Sequence, residues 1–346
     1  MNIYDSNGYV NFRGIMDKGY PYNIMVGGRG TGKTYGALKT HVVDKRLFMY
    51  MRRRQTQVDI INKPEFTPIK PVCRDLGLQI TMRPVAKGLS AFVPYEVDEE
   101  KNKEIISGPP FGYTCALSTV ANLRGFDASE LKSIIYDEFI PQKGERPLPH
   151  EADALFNCYE TLNRNRELEG QPPLQLFCLA NANDQTAPIL ERLRLITRIE
   201  KMRKTGQEIF VDNRRGLLLL MLKDSPISEK KRNTALYRLT EGTDFAEMAL
   251  DNDFAYEDRG AIVSRPLAEY RPLASIGEIT IYRHKGGGPF YVSTHRSGNP
   301  PTFGLGDSDR ERFRRTFGWL WESYLAQNIE FEDYLCQILL TKYLFD

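Results

Sequence analysis

The sequence is poor in the residues that build disulfide frameworks and metal centres. It has five cysteines, Cys73, Cys115, Cys158, Cys178 and Cys336, an odd and scattered set without a C-x-x-C pair. That pattern predicts free, buried thiols in a reducing compartment. Its four histidines, His41, His150, His284 and His295, are too dispersed to form a metal-ligand cluster. Long apolar runs are missing too. The longest, Leu217 to Leu222, falls far short of the roughly 20 residues that cross a bilayer. The N-terminus shows no basic-then-apolar signal pattern. A soluble cytoplasmic protein is expected, not secreted and with no membrane partner. An excess of one charge sign is also absent, the net charge being +2. That total neither favours nor excludes nucleic acid, because a basic stripe can hide within a balanced sum. No internal repeat or low-complexity tract is found.

What is present is enough apolar content, 41% of 346 residues, to bury a full core and form about two domains. One stretch organises the rest. Gly27, Gly28, Arg29, Gly30, Thr31, Gly32, Lys33 and Thr34 fit G-x-x-x-x-G-K-[ST], the phosphate-binding P-loop. Glycines allow successive backbone N–H groups to turn inward on phosphate oxygens. Lys33 is expected to reach the β- and γ-phosphates, and Thr34 to sit on Mg²⁺. The flanks agree: Tyr22 to Val26 reads as a buried strand, and Thr34 to Val43 as a helix whose N-terminus adds its dipole.

Further apolar strands are predicted at Arg46 to Met51, Phe111 to Ser118, Leu131 to Phe139, Leu174 to Ala180 and around Phe210 to Leu222. Helical spacing marks Pro149 to Asn165, Ile189 to Lys204 and Ser228 to Ala249. Strands alternating with helices predict a mainly parallel α/β sheet covered on both faces. The irregular stretch from Pro64 to Pro110 is expected as an insertion with short strands. Near the C-terminus, Glu278 to His284 and Pro289 to Thr294 read as a hairpin around three glycines. Asp309 to Ala326 and Phe331 to Phe345 read as two terminal helices, with Trp319 and Trp321 in their core. The expected division is a P-loop ATPase domain over 1–205, a linker or lid over 206–265, and a small α+β domain over 266–346.

The strand Ile134, Ile135, Tyr136 runs into Asp137 and Glu138. An apolar strand ending in an acid is the second signature of a P-loop NTPase. Asp137 is assigned to the Mg²⁺ shell and Glu138 to the general base that polarises water for in-line attack. The adjacent Glu, with an additional strand between this strand and the P-loop, predicts the hydrolytic ASCE class. Asn181, at a strand end, either senses the γ-phosphate or caps a turn; Asn183 is an alternative. Arg164, beside Asn165 and Arg166, could act in trans as a finger, but on the residues alone a solvated helix face is the better reading. Arg124, before the catalytic strand, raises the same question. Arg52, Arg53 and Arg54, with Arg310, Arg312, Arg314 and Arg315, are candidate polyanion contacts or plain surface charge.

Several of these pieces, in order, resemble the DNA encapsidation ATPases of small short-tailed phages of the phi29 type. The pieces are the P-loop, Phe48 to Arg54, Tyr136 to Ile140, Leu162 to Glu167 and Leu179 to Ala182. Asn233 to Phe254 resembles the family's linker region. The resemblance covers roughly residues 20–255. It implies a terminase-like motor: ATP and Mg²⁺ bound at subunit interfaces of a homomeric ring, in the family's five-membered form. Arg164 then becomes the favoured trans-acting arginine, Arg124 a second candidate, and Asn181 the favoured sensor. Double-stranded DNA is the implied partner, with Arg52, Arg53, Arg54, Arg310, Arg314 and Arg315 as candidate contacts. The capsid portal, bridged or not by a packaging RNA, is the implied docking site, reached from the host cytoplasm. Related motors carry a nuclease-like C-terminal domain. Here Asp307, Asp309, Glu311 and Glu330 form no pattern of spaced acids, so an inactive nuclease-like scaffold is expected. Two other readings stay open: a non-motor P-loop nucleotide kinase or NTPase, and a terminase-type nuclease with an ancillary ATPase.

Overall fold

The computed structural model describes residues 2–98, 100, 103–123, 125–142, 145–182, 187–222, 225–243, 246, 249–250 and 261–345. The chain forms two compact units. The first holds Met1–Arg192 and Met202–Ala255, the second Leu193–Lys201 and Tyr256–Asp346.

The first unit begins with α1 (Phe12–Met16), β1 (Tyr22–Gly27), α2 (Lys33–Val43) and β2 (Phe48–Arg52). Then come α3 (Gln55–Ile61), α4 (Lys70–Leu76), β3 (Ile80–Ala86), β4 (Leu89–Asp98), β5 (Lys103–Ile106) and β6 (Gly112–Ala116). After β7 (Ser133–Asp137) follow α5 (Glu151–Asn163), β8 (Gln175–Ala180) and α6 (Pro188–Arg192), then α7 (Ile196–Thr205), of which residues 196–201 count with the second unit. The unit ends in β9 (Ile209–Asp212), β10 (Leu217–Leu222), α8 (Pro226–Arg232) and α9 (Ala235–Leu239).

These strands make one ten-stranded sheet, in the order β3-β4-β6-β2-β7-β8-β1-β10-β9 with β5 on β4. The run from β6 through β2, β7, β8 and β1 to β10 is parallel throughout. Its strands are apolar on both faces: Ile24, Met25 and Val26 of β1 and all of β10 are buried. Each such side chain contributes about 1.5–3 kcal/mol by leaving water. That is why the sequence shows apolar runs here and not alternation. β8 lies between β1 and β7, the additional strand of the hydrolytic class.

Register positions the site. Tyr22 pairs with Leu176, Ser133 with Gln175 and Phe48 with Ser133. Parallel strands starting level also end level. The carboxyl ends of β1, β8, β7 and β2 therefore present the P-loop, Asn181, Asp137 with Glu138, and Arg52 along one edge, where open α/β sheets bind ligands.

Several sequence expectations differ from the structure. The 206–265 stretch, expected as linker or lid with strand around Phe210 to Leu222, places that strand within the main sheet as β9 and β10, with β10 directly beside β1. Its six consecutive large apolar residues are burial-driven and belong in a core. The single helix expected over Ile189 to Lys204 is two, α6 and α7, with Arg194 between them at φ 54°, in the left-handed region. Thr197 donates to Asp333 at 3.1 Å and Glu200 accepts from the Tyr334 amide at 3.1 Å, which ties residues 193–201 into the second unit.

The second unit carries β11 (Tyr270–Ile276), β12 (Ile279–His284), β13 (Phe290–Ser293) and β14 (Thr302–Phe303). Then follow α10 (Asp307–Phe317), α11 (Leu320–Leu325), β15 (Ile329–Phe331) and α12 (Tyr334–Phe345). Its five-stranded mixed sheet has the order β14-β11-β12-β13-β15. The expected helix over Asp309 to Ala326 is broken at Gly318, where a Cβ would lie 2.5 Å from the Arg314 carbonyl oxygen. The start of the expected last helix is strand β15, whose Phe331 belongs to the core with Phe313 and Leu340. Trp319 and Trp321, expected in that core, are both exposed.

Candidate active site

The site lies within the first unit and starts with β1. Gly27 leads into a loop in which Gly30 and Gly32 have φ 71° and 86°, values that L side chains rarely adopt. Gly32 is the N-cap of α2 and brings no capping side chain, so the first-turn N–H groups are left for a ligand. The loop faces a cleft of about 380 Å³ that also meets Tyr9, Tyr35, Glu138 and Asn181. A second hollow, of about 520 Å³, shares Tyr9, Gly32 and Tyr35 with it.

Lys33 is 7% exposed. Its ammonium donates to the carbonyls of Gly27 at 3.0 Å and Gly28 at 2.8 Å, and to Asn181 Oδ1 at 3.2 Å. Burial pushes its pKa down to about 7. Asp137 and Glu138 pull the other way, while Lys231 and Arg29 depress it further.

Across the cleft, Asp137 is buried and fully bonded. Thr34 donates to its Oδ2 at 2.9 Å and the Tyr50 hydroxyl at 2.7 Å. Arg52 Nη2 lies 3.2 Å from the same oxygen, and Arg52 Nη1 pairs with Glu138 Oε2. Arg52 Nε donates to the Tyr50 oxygen at 3.0 Å. Burial works against the Arg52 cation, but Tyr50, Asp137 and Glu138 outweigh it and raise its pKa. Glu138 has φ 56°, an uncommon conformation for a residue other than glycine. Strained non-glycine positions of this kind cluster at functional sites.

These groups fit a nucleotide with a hard divalent cation. Thr34 and Asp137 offer a hydroxyl and a carboxylate, all-oxygen donors within hydrogen-bond distance of each other. Mg²⁺ is held by one or two such groups plus phosphate oxygens and waters, so no protein-only cage is needed. The glycine cradle, the open α2 N-terminus and the buried Lys33 ammonium fit a polyphosphate.

A family model described as Podovirus DNA encapsidation protein (Gp16) matches residues 90–269, just over half of the chain. The chain belongs to this family. It is 26% identical over 250 residues to the DNA packaging protein of Bacillus phage phi29, a match covering 70% of this chain. It is 28% identical over 239 residues to the DNA packaging protein of Bacillus phage B103, covering 67% of this chain. The matches span 65% and 64% of those relatives' own lengths, just under two thirds. Among solved structures, a chain of the bacteriophage Phi-29 viral genome packaging motor assembly superposes with a TM-score of 0.68 at 18% identity, over 97% of this chain and 99% of that one. A chain of the Phi-28 gp11 DNA packaging motor gives 0.62 at 18% identity, over 99% of both chains. At that identity the likeness is one of fold.

Within this encapsidation-family chain, the structure brings together the P-loop, Asp137, Glu138 and Asn181. It does not bring Arg164 to the same cleft. Arg164 follows the last residue of α5, a helix that carries the chain from the carboxyl edge of β7 back to the start of β8. Thirteen residues of helix span about 20 Å. Its guanidinium donates to the Phe126 carbonyl at 2.6 Å, and neighbouring Arg166 is buried against the Ser129 carbonyl. Arg124 and Asn183 lie outside the described residues.

The arginine triplet is corrected by burial. Arg53 is fully buried and grips Glu151 with Nε at 2.7 Å and Nη2 at 2.8 Å. It is not available to a polyanion, and Arg52 is committed to the acids. Arg54 remains partly exposed, bonded to the Arg146 carbonyl at 2.7 Å. In the second unit Arg310 lies over the Tyr343 ring at 5.6 Å, while Arg314 and Arg315 are exposed on α10. Sequence reasoning missed Tyr50 as a site residue and took Arg52 for a phosphate contact, where the structure pairs it with Asp137 and Glu138. Their spacing of two places them on one face of β2, a signal visible in the sequence. That β2 neighbours β7 was not visible there.

Proposed function

We propose that the chain is an ATPase subunit of a motor that drives double-stranded DNA into an empty capsid, with ATP hydrolysed at the interfaces of a homomeric ring. The observation that carries the reading is the linked set Thr34, Asp137, Tyr50, Arg52 and Glu138, facing Lys33 and Asn181 at the strand ends. Membership of the encapsidation family supports its coupling to DNA.

In this reading the P-loop amides and Lys33 hold and orient the phosphates. Thr34 and Asp137 hold Mg²⁺, which when bound neutralises charge developing on the β- and γ-phosphates. Glu138 accepts a proton from the attacking water, and Arg52 fixes its carboxylate relative to Asp137. Asn181 links the γ-phosphate position to Lys33. Arg164 lies far from its own cleft, so its catalytic use is in a neighbouring subunit, with Arg124 as a second such residue. A five-membered ring on the capsid portal, with or without a packaging RNA, completes the proposal, as does a transient stay on the capsid from the host cytoplasm. Arg54, Arg314 and Arg315 remain proposed DNA contacts. The 266–346 domain is proposed to lack nuclease activity. Its Glu330 is held by Arg265 at 2.7 Å through both oxygens, and Glu332 accepts from Ser293 at 2.8 Å.

The test is ATP-dependent protection of DNA from nuclease by purified empty capsids with this protein. Protection is expected for the native chain and not for Glu138→Gln, which should lose about 10²–10⁴-fold in ATP turnover. Competent capsids that protect no DNA would sink the proposal. In mixed assemblies, Arg164→Ala subunits should depress the turnover of native partners.

A further inference from the structure

The P-loop is held from outside by residues 225–250. From α8, Lys231 Nζ donates to the Arg29 carbonyl oxygen at 2.6 Å. From the end of the same segment, the Ala249 carbonyl accepts the Arg29 N–H at 2.9 Å. Both backbone groups of Arg29 are therefore bonded to this segment. At Gly28 the approach demands glycine, because the atom met is backbone; at Gly30 the atom met is the tip of a lysine side chain, and φ 71° is what favours glycine there. A Cβ on Gly28 would lie 2.8 Å from the Ala249 oxygen, and one on Gly30 would lie 1.9 Å from Lys231 Nζ. The segment has its own small core of Tyr237, Ala246, Ala249 and Leu250. Its start is pinned by the Ser225 hydroxyl, which donates to the Gly8 carbonyl at 3.2 Å.

Lys231 is an unusual cation. Among the described residues no carboxylate pairs with it. Burial lowers its pKa, and the charge that adds to the effect is another cation, Arg29. Lys231 and Lys33 rest on neighbouring carbonyls of one loop, those of Arg29 and Gly28, and Arg29 lines the cleft assigned to the nucleotide. Three cations, Lys33, Arg29 and Lys231, thus converge on a loop made to take a polyanion.

We propose that Lys231 is a second phosphate-binding lysine, which exchanges the Arg29 carbonyl for the terminal phosphate of a bound nucleoside triphosphate. A diphosphate has no terminal group to draw it, so Lys231 stays on the loop carbonyl. Residues 225–250 then report which nucleotide occupies the loop. In sequence they lead directly into the stretch that precedes the second unit. The inference rests on the nucleotide-site reading of the P-loop.

The test measures equilibrium binding of a non-hydrolysable ATP analogue and of ADP, each with Mg²⁺, to the full chain, alongside hydrogen exchange of residues 225–243. Lys231→Gln keeps a donor for the Arg29 carbonyl but removes the charge. It should bind the triphosphate about tenfold more weakly and ADP within twofold of the native chain. Lys231→Arg should restore triphosphate binding. In the native chain the triphosphate should change exchange over 227–239 and ADP should not; Lys231→Gln should erase that difference. Unchanged triphosphate affinity in Lys231→Gln, or equal losses for both nucleotides, would overturn the proposal, the latter marking a loop brace only. Lys33→Ala separates the two levels. If it binds both nucleotides like the native chain, the P-loop reading fails. If it loses both while Lys231→Gln is unaffected, only the Lys231 inference fails.

Discussion

Two arginine clusters look alike in the sequence and meet opposite fates. Arg52, Arg53 and Arg54 end strand β2, inside a sheet covered on both faces. Arg310, Arg312, Arg314 and Arg315 lie along α10, where only Phe313 is buried. In the first cluster, Arg52 enters the acid pair of the candidate site and Arg53 sinks into a buried pair with Glu151. In the second, Arg310 leans on Tyr343, Arg312 pairs with Asp309 at 2.8 Å, and Arg315 pairs with Glu311. The lesson is that position in the fold, not local composition, decides whether an arginine run faces a polyanion. A charge can be carried inside only where an acid meets it.

The contrast can be broken most sharply at Arg53. Arg53→Ala leaves Glu151 buried and unpaired, and should cost about 3–5 kcal/mol in urea unfolding. A loss below about 1 kcal/mol would mean that Arg53 is as free as the α10 arginines.

His41 tests the converse case, a buried base without an acid. It sits among Phe12, Phe48 and Phe177, and its Nδ1 lies 2.7 Å from the Ala37 carbonyl. Burial pushes its pKa down to about 4. The unfolded chain therefore takes the proton first as pH falls. Stability is full above about 6.5 and falls towards pH 4, by up to about 3 kcal/mol. Unfolding midpoints across that range should show the slope in the native chain and lose it in His41→Asn.

A smaller effect is expected at Arg52, where the cation serves geometry more than stability. Arg52→Ala should lower ATP turnover about ten- to a hundredfold, some 1.4–2.7 kcal/mol in barrier, with a smaller stability change than Arg53→Ala. A rise in turnover would show instead that Arg52 restrains Glu138. Least of all, Arg314→Ala and Arg315→Ala should each leave stability within about 0.5 kcal/mol. If both contact DNA, the double variant should flatten the salt dependence of DNA binding by about two units of slope.

The central elements were legible because their signals are local. An apolar run bounded by glycines is a buried strand before a loop, and Ile134 to Glu138 reads as a strand delivering acids. Asn181 could be singled out because it ends such a run. Less legible were the helix breaks, at Arg194 and Gly318, where one backbone position interrupts a good amphipathic pattern. The destination of Leu217 to Leu222 was hidden too. Its composition marks a core strand, but nothing local says that it lies beside β1, almost two hundred residues earlier in the chain.

By itself, the sequence determined the phosphate-binding loop, the acids opposite it and the apolar strands that hold both, since each depends on residues within one short segment. Only the tertiary structure decided that Tyr50 and Arg52 belong to the site, that Arg53 does not reach a polyanion, that Arg164 lies away from its own cleft and that Lys231 rests on the loop. Those facts depend on strand order and on segments distant in sequence packing together. Long-range packing is set by the whole core at once, and no single stretch of residues carries it.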